Sequence, residues 1–184
     1  MSGAFIPPPK RIPLLLRLGI GLAERLTGKV MLPARILAWY PRAAIGSGVL
    51  EALVAHHDGR MDARMLKIIR MTASYATACP FCIDMNGHDH RAAGLSDEEA
   101  AALRHPESAG AVATFSERER LAIAYARAIS STPLRFEPDL VERVKSVFDE
   151  REFVILASTA AQVNYWARLI QALGIPPAGF GEAD

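Results

Sequence analysis

The sequence predicts an all-α protein, and three observations carry the prediction. Apolar residues recur at intervals of three and four rather than two: Leu15, Leu18, Leu22 and Leu26, then Leu66, Ile69 and Ala73, then Leu121, Ala124, Tyr125 and Ala128. This is the spacing of one buried helix face. Ser96 with Glu99 and Ser116 with Glu119 stand at the capping-box interval, at which each side chain satisfies an orphan backbone N–H of a helix start. Strand signals, by contrast, are nearly absent.

The elements follow in order. Residues 1–12 form a proline-rich arm, because Pro7, Pro8 and Pro9 fix an extended backbone that cannot enter a helix or a central strand. The arm is expected on the surface or on a neighbouring subunit. The leucine stripe gives a helix over 13–26. The next, 42–56, ends at His56 and His57 ahead of Asp58-Gly59, where cationic side chains suit the helix dipole. A helix over 62–77 opens with Asp62-Ala63-Arg64. Another, 80–93, starts at Pro80, whose missing N–H is an orphan there anyway, and stops at Gly94, placed for a left-handed cap. Capping boxes start 97–103 and 117–130; Pro138 opens 138–147; and 150–173 runs from Asp149-Glu150-Arg151 to Gly174. Pro33, Pro41, Pro106 and Pro133 fall between segments. Residues 13–184 therefore form one helical domain. The likeness of Asp62-Ala63-Arg64 to Asp149-Glu150-Arg151 allows an internal two-fold pseudo-repeat, in which Cys79 falls opposite Trp166 and Cys82 opposite Leu169.

Composition narrows the class. A chain of 184 residues with 51% hydrophobic and 22% charged residues supports one core rather than two. Twenty-one Lys+Arg against 20 Asp+Glu leave a charge of +1, so no nucleic-acid footprint shows. With 2 Cys, a disulfide-stapled secreted scaffold is excluded. Lys10 and Arg11 before the apolar stretch from Ile12 to Leu22 imitate a signal peptide, but Arg17 interrupts it and no small-x-small cleavage site follows. That stretch also falls short of the roughly 20 apolar residues that span a bilayer. A cytoplasmic protein without membrane attachment is expected.

The chemistry concentrates in Cys79-Pro80-Phe81-Cys82, which holds both cysteines. Thiols at a helix start face the positive end of the dipole, and a Cys-x-x-Cys thiol can drop from a pKa of ~8.5 to between ~3.5 and ~7.5. Two other readings stand beside a reactive dithiol. Free cysteines also serve as small buried apolar residues. A zinc site could draw on Cys79, Cys82, His88 and His90, although His-x-His turns its rings to different sides of a helix.

The run Cys79-Pro80-Phe81-Cys82-Ile83-Asp84-Met85, with Arg91-Ala92-Ala93-Gly94-Leu95-Ser96-Asp97-Glu98-Glu99 after it, resembles the core of the alkylhydroperoxidase D family, within the carboxymuconolactone decarboxylase superfamily. Gly28-Lys29-Val30, the helix start from Phe115 to Leu121, and Asn164 and Arg168 before Leu173-Gly174-Ile175-Pro176-Pro177 look like its peroxidase-related members, so the likeness spans about residues 28 to 177. The resemblance implies an AhpD-like, oligomeric helical domain and a thiol-dependent peroxidase that needs no metal or other cofactor. It implies Cys82 as the nucleophile that attacks peroxide and becomes a sulfenic acid. Cys79 is then the resolving thiol, closing a disulfide that a dithiol protein or a small thiol must reduce.

The departures are specific. Where the family has a His four residues after the second cysteine, this chain has Asn86; where it has a Glu twelve residues before the first, this chain has Lys67. Asn86 can hydrogen-bond a thiolate but cannot take a proton. Lys67 can stabilise a thiolate as a cation or be an ordinary solvated lysine. His90 lies on roughly the face of Cys82 but ~12 Å along the axis, while His88 is turned away. His56 would have to fold back on the thiols. Tyr75 and Trp166 are candidates to border the pocket or to fill core. Three functions are therefore weighed: a redox enzyme, a non-enzymatic oligomer that binds a small ligand and carries a redox-sensitive dithiol, and a decarboxylase or isomerase, which gives paired cysteines no role.

Overall fold

Helices and the turns between them make up residues 3–54, 60–105 and 112–181, the part of the chain that the computed structural model describes; no strand occurs among them. In order they are α1 (Leu14–Thr27), α2 (Leu32–Leu37), α3 (Pro41–Leu53), α4 (Ala63–Ala76), α5 (Pro80–Gly87), α6 (Asp97–Ala102), α7 (Glu117–Ser130), α8 (Leu140–Val147) and α9 (Glu150–Ala172). Both expected capping boxes form, and Asp149 with Glu152 makes a third. Asp62 and Asp149 each cap a helix through the third amide, which accounts for the aspartate the two segments share.

Two boundaries depart from the sequence reading. α2 was not anticipated, because a six-residue helix with Pro33 in its first turn has too few positions to show a periodicity. α5 stops at Gly87 rather than 93: His88 has an extended ψ of 144 and Asp89 a φ of +54, so the chain leaves helical space well before Gly94. The His56 and His57 end of the third helix lies outside the described residues.

α4 is the central element, packed on α5, α7 and α9. One of its faces buries Leu66 and Ile69 against Leu121 and Tyr125 of α7, Leu156 and Ala160 of α9, and Val144 of α8. Another sets Ile68 and Met71 against α6, Phe115 and Ile123. Each fully buried side chain of this kind stabilises the fold by ~1.5–3 kcal/mol. A third cluster gathers Cys79, Phe81 and Cys82 with Ile36 of α2, Ala167 and Ile170 of α9, and the C-terminal Ile175 and Phe180. The thiols thus sit where α5 wedges between α4 and α9.

Arg64 ties three helix starts together. Its guanidinium donates to the capping-box carboxylates Glu99 and Glu119, at 2.6 Å each, and also to the Gly94 carbonyl. The proline arm runs over the same domain: Phe5 N–H donates to Leu173 O at 2.9 Å and Trp39 Nε1 to Pro7 O at 2.8 Å. Gly174 takes φ +62, and a Cβ there would lie 2.5 Å from the Phe5 ring, so both backbone and neighbour require glycine. α1 is held differently. It contributes no buried residue and is tethered by the two-pronged Glu24–Arg35 ion pair, 2.7 Å on each prong.

Candidate functional site

The turn from α4 into α5 sets the thiols. Thr77 closes α4, Ala78 takes φ +48, and Cys79 is extended, so that Pro80 can open the next helix in its favoured first-turn position. Alanine in the left-handed region costs roughly 1–2 kcal/mol, which the surrounding core offsets. Cys79 is the N-cap: its Sγ accepts the Cys82 N–H at 3.3 Å, a sulfur in the place usually taken by a serine or aspartate oxygen. Both cysteines are free thiols, with exposures of 0% and 3% for Cys79 and Cys82.

The two thiols are not equivalent. The Cys82 side chain hydrogen-bonds Cys79 and pulls its pKa below the ordinary thiol value; burial opposes this, and the Cys82 and Phe81 amides reinforce it. The same hydrogen bond, followed by burial, pushes Cys82 up. Of the two thiols, Cys79 is therefore the one whose charged form the pair favours, and Cys82 the one whose charged form it disfavours. The helix-start amides thus favour a thiolate at the capping cysteine, after the larger effect of the Cys82 side chain.

A cavity of about 100 Å³ opens on Cys82, and Cys79 is not among its walls. Met31, Phe81, Met85, Val163, Trp166 and Ile170 make it largely apolar. Four polar residues interrupt that lining: Asn86, Arg70 of α4, Glu51 of α3 and Gln162 of α9. Glu51 Oε2 accepts from both Trp166 Nε1 and Gln162 Nε2, each at 2.9 Å. Burial pushes the Arg70 guanidinium down from its ordinary value, while the charge of Glu51 acts to hold it up. Asn86 Nδ2 donates to Ser74 Oγ at 2.9 Å, and that hydroxyl donates to Arg70 O at 2.7 Å, which fixes the amide against α4.

The structure brings together Cys82, Asn86 and Trp166 on one cavity, with Cys79 directly behind Cys82, and separates Lys67, Tyr75 and His90 from it. Lys67 is not on the cavity. Its Nζ donates to His88 O at 2.7 Å, and the cation on the cavity is Arg70, one helical turn further on. Burial, with the nearby Arg70 charge, lowers the Lys67 pKa. Tyr75 and His90 line a different, more open cavity of about 390 Å³, against Ile83, Asp84 and Gly87 of α5 rather than Phe81, Cys82, Met85 and Asn86. The early end of α5 is the reason for His90, whose ring bonds Gly87 O and Asp97 Oδ1 instead. His56 lies outside the described residues. Among those described, no three His, Cys, Asp or Glu side chains form a metal-binding group, so the Cys79, Cys82, His88 and His90 set is not assembled. No described helix is long and apolar enough to cross a membrane.

Glu51, Arg70 and Gln162 were missed from sequence, though each left a trace. Glu51 is the single ionisable residue in the stretch 43–54, Arg70 lies on an otherwise buried face of α4, and Gln162 stands one turn before Trp166. A further carboxylate anchors the C-terminus. Asp84 accepts four N–H groups, from Ala178, Gly179 and Phe180 on Oδ2 and from Gly181 on Oδ1, at 2.8–3.1 Å. Burial alone would raise its pKa, but these donors outweigh burial and hold it low.

Comparison with known proteins places this geometry. A sequence profile of the carboxymuconolactone decarboxylase family matches residues 47–128, which include both cysteines, Arg70 and Glu51. The uncharacterized protein YnjA of Escherichia coli (strain K12) is 28% identical over 178 residues, 95% of this chain and 94% of that protein. A peroxidase-related protein of Ralstonia eutropha JMP134, described as an alkylhydroperoxidase AhpD core, superposes with a TM-score of 0.79 at 17% identity over 96% of this chain and 93% of the other. The debrominase Bmp8, in complex with 2,3,4-tribromopyrrole, gives 0.79 at 17% identity over 96% and 92%.

Proposed function

We propose that this chain, which has an alkylhydroperoxidase D-like fold and matches the carboxymuconolactone decarboxylase family over residues 47–128, is a dithiol oxidoreductase that reduces a small organic hydroperoxide at Cys82. The observation that carries the reading is the asymmetry of the pair: Cys82 lines the cavity, while Cys79 is sealed behind it with its sulfur on the Cys82 amide. Such an arrangement suits a nucleophile that meets substrate and a resolving thiol that meets only the nucleophile.

The proposed reduction has three steps. Cys82 Sγ attacks the terminal peroxide oxygen, the O–O bond breaks, and the alkoxide leaves as an alcohol once it is protonated; the sulfur becomes a sulfenic acid. Cys79 Sγ then attacks that sulfur, expelling its oxygen as water and forming the disulfide. A dithiol protein or two small thiols return two electrons and two protons, becoming a disulfide themselves. The test is mass spectrometry after one equivalent of tert-butyl hydroperoxide. Loss of two hydrogens is expected in the wild type and a trapped sulfenic acid in Cys79→Ser, whereas Cys82→Ser should stay unchanged. Equal oxidation of both variants would reject the assignment of roles.

A second reading is favoured by the apolar walls, where Phe81 and Trp166 offer flat faces. The same thiol attack on the halogen of a haloaromatic ring would give a sulfenyl halide and the protonated ring, and Cys79 would then displace halide. Bromide release from a brominated pyrrole, with no reaction toward hydroperoxides, would select it.

A further inference from the structure

We propose that Glu51 exchanges protons with Cys82 and the leaving group, doing from α3 what the family's Glu and His do from the positions held here by Lys67 and Asn86. The proposal rests on the peroxidase reading above. Three observations support it. Glu51 is the one carboxylate, among the described residues, on the cavity that opens on Cys82. The other polar walls cannot serve, since Asn86 and Gln162 are amides and Arg70 is a guanidinium that already holds its proton. The carboxylate is also held in place, because Trp166 and Gln162, one turn apart on α9, both donate to Oε2 at 2.9 Å. Finally, Arg70 puts a half-buried cation in the same cavity, which offsets part of the cost of taking a carboxylate out of water.

The resting state creates the need. Cys82 is a buried thiol on a largely apolar cavity, which disfavours its thiolate, so it must lose a proton as it attacks. In the proposed step that proton goes to Glu51 while the S–O bond forms and the O–O bond breaks. Glu51 then hands it to the departing alkoxide, which leaves as an alcohol. Sulfur gives up two electrons, the peroxide gains two, and Glu51 ends as it began. An alkoxide is a poor leaving group unless it is protonated, and positioned acid–base help of this kind is worth ~100- to 10,000-fold.

The experiment compares two electrophiles on the full-length protein. tert-Butyl hydroperoxide needs a proton on its leaving oxygen. Methyl methanethiosulfonate, which is similarly small, expels a sulfinate that needs none. Any loss of thiolate slows both, so the ratio of the two rates isolates proton delivery. Glu51→Gln keeps an oxygen to accept from Trp166 but cannot carry the proton, and should lower the hydroperoxide-to-thiosulfonate ratio about 100-fold or more. Glu51→Asp, which retains the charge and shortens the reach, should lower it about tenfold and serves if the amide variant does not fold. An unchanged ratio in a folded variant would overturn the role of Glu51 and leave the peroxidase reading standing. A wild-type protein that reacts with the thiosulfonate and with no hydroperoxide would overturn both.

Discussion

At the residue scale, Cys79 is both a helix cap and the thiol whose pKa is lowered, while Cys82 is the thiol that faces the cavity. Absorbance at 240 nm should therefore titrate one thiol below the ordinary value of ~8.5 in the wild-type protein. In Cys82→Ala the principal donor to Cys79 is gone, so that midpoint should move up; an unmoved midpoint would mean that the backbone amides alone set it. The dithiol was legible in the sequence because its two members are three residues apart on one helix start. Glu51 was not, because it lies 31 positions before Cys82 and only the packing of α3 against α9 carries it to the cavity. Lys67 was misleading for a related reason: spacing along α4 gives the face of the helix, but not which cation on that helix lines the cavity.

At the scale of elements, the capping boxes were readable and correct because each is a local pair of side chains on its own first turn. Their joining by Arg64 was not readable, since it brings together residues 35 and 55 positions apart. That joint has a pH signature. Arg64, with help from Ser96 N–H and Thr114, lowers the Glu99 carboxyl to about 2, although burial opposes it. A folded pKa below the unfolded value of ~4.3 means that the contribution is fully present above ~4.3 and is lost as pH falls through the folded pKa. The window is therefore from ~4.3 down to about 2, and the shift corresponds to about 3 kcal/mol. Denaturant unfolding of Glu99→Gln should show lower stability at pH 7 and a flatter dependence across that window; a slope equal to that of the wild type would count against the joint. The Asp84 latch supplies a second element-scale test. Asp84→Ala removes the acceptor of four backbone donors and should cost about 2 kcal/mol. It should also speed thiol alkylation, because Phe180, packed in the same cluster as the cysteines, is released with the turn. Unaltered alkylation would show that the C-terminal turn does not guard the thiols.

At the scale of the whole molecule, the described chain leaves one side uncovered. Leu15, Leu18, Leu22 and Leu26 of α1 are 59–84% exposed, and Trp39, Ile45, Val49 and Leu53 around α3 extend the apolar surface. A surface of this kind on a chain of 20.0 kDa predicts a second copy over it, and sedimentation at micromolar concentration should show a species larger than the monomer. Leu15→Glu with Leu18→Glu should dissociate it, and a 20.0 kDa wild-type species would reject the expectation. The same surface makes the folding of α1 a matter of dilution. Fourteen residues that include Gly19 and Gly21 form a marginal helix on their own, each glycine costing ~1 kcal/mol against alanine, and α1 has no buried side chain to anchor it. Its amide hydrogens should therefore exchange with deuterium slowly in concentrated protein and quickly in dilute protein, while those of α4 keep one rate at both. In that measurement the first helix reports how many neighbours the molecule has, and the helix before the thiols reports only on the molecule itself.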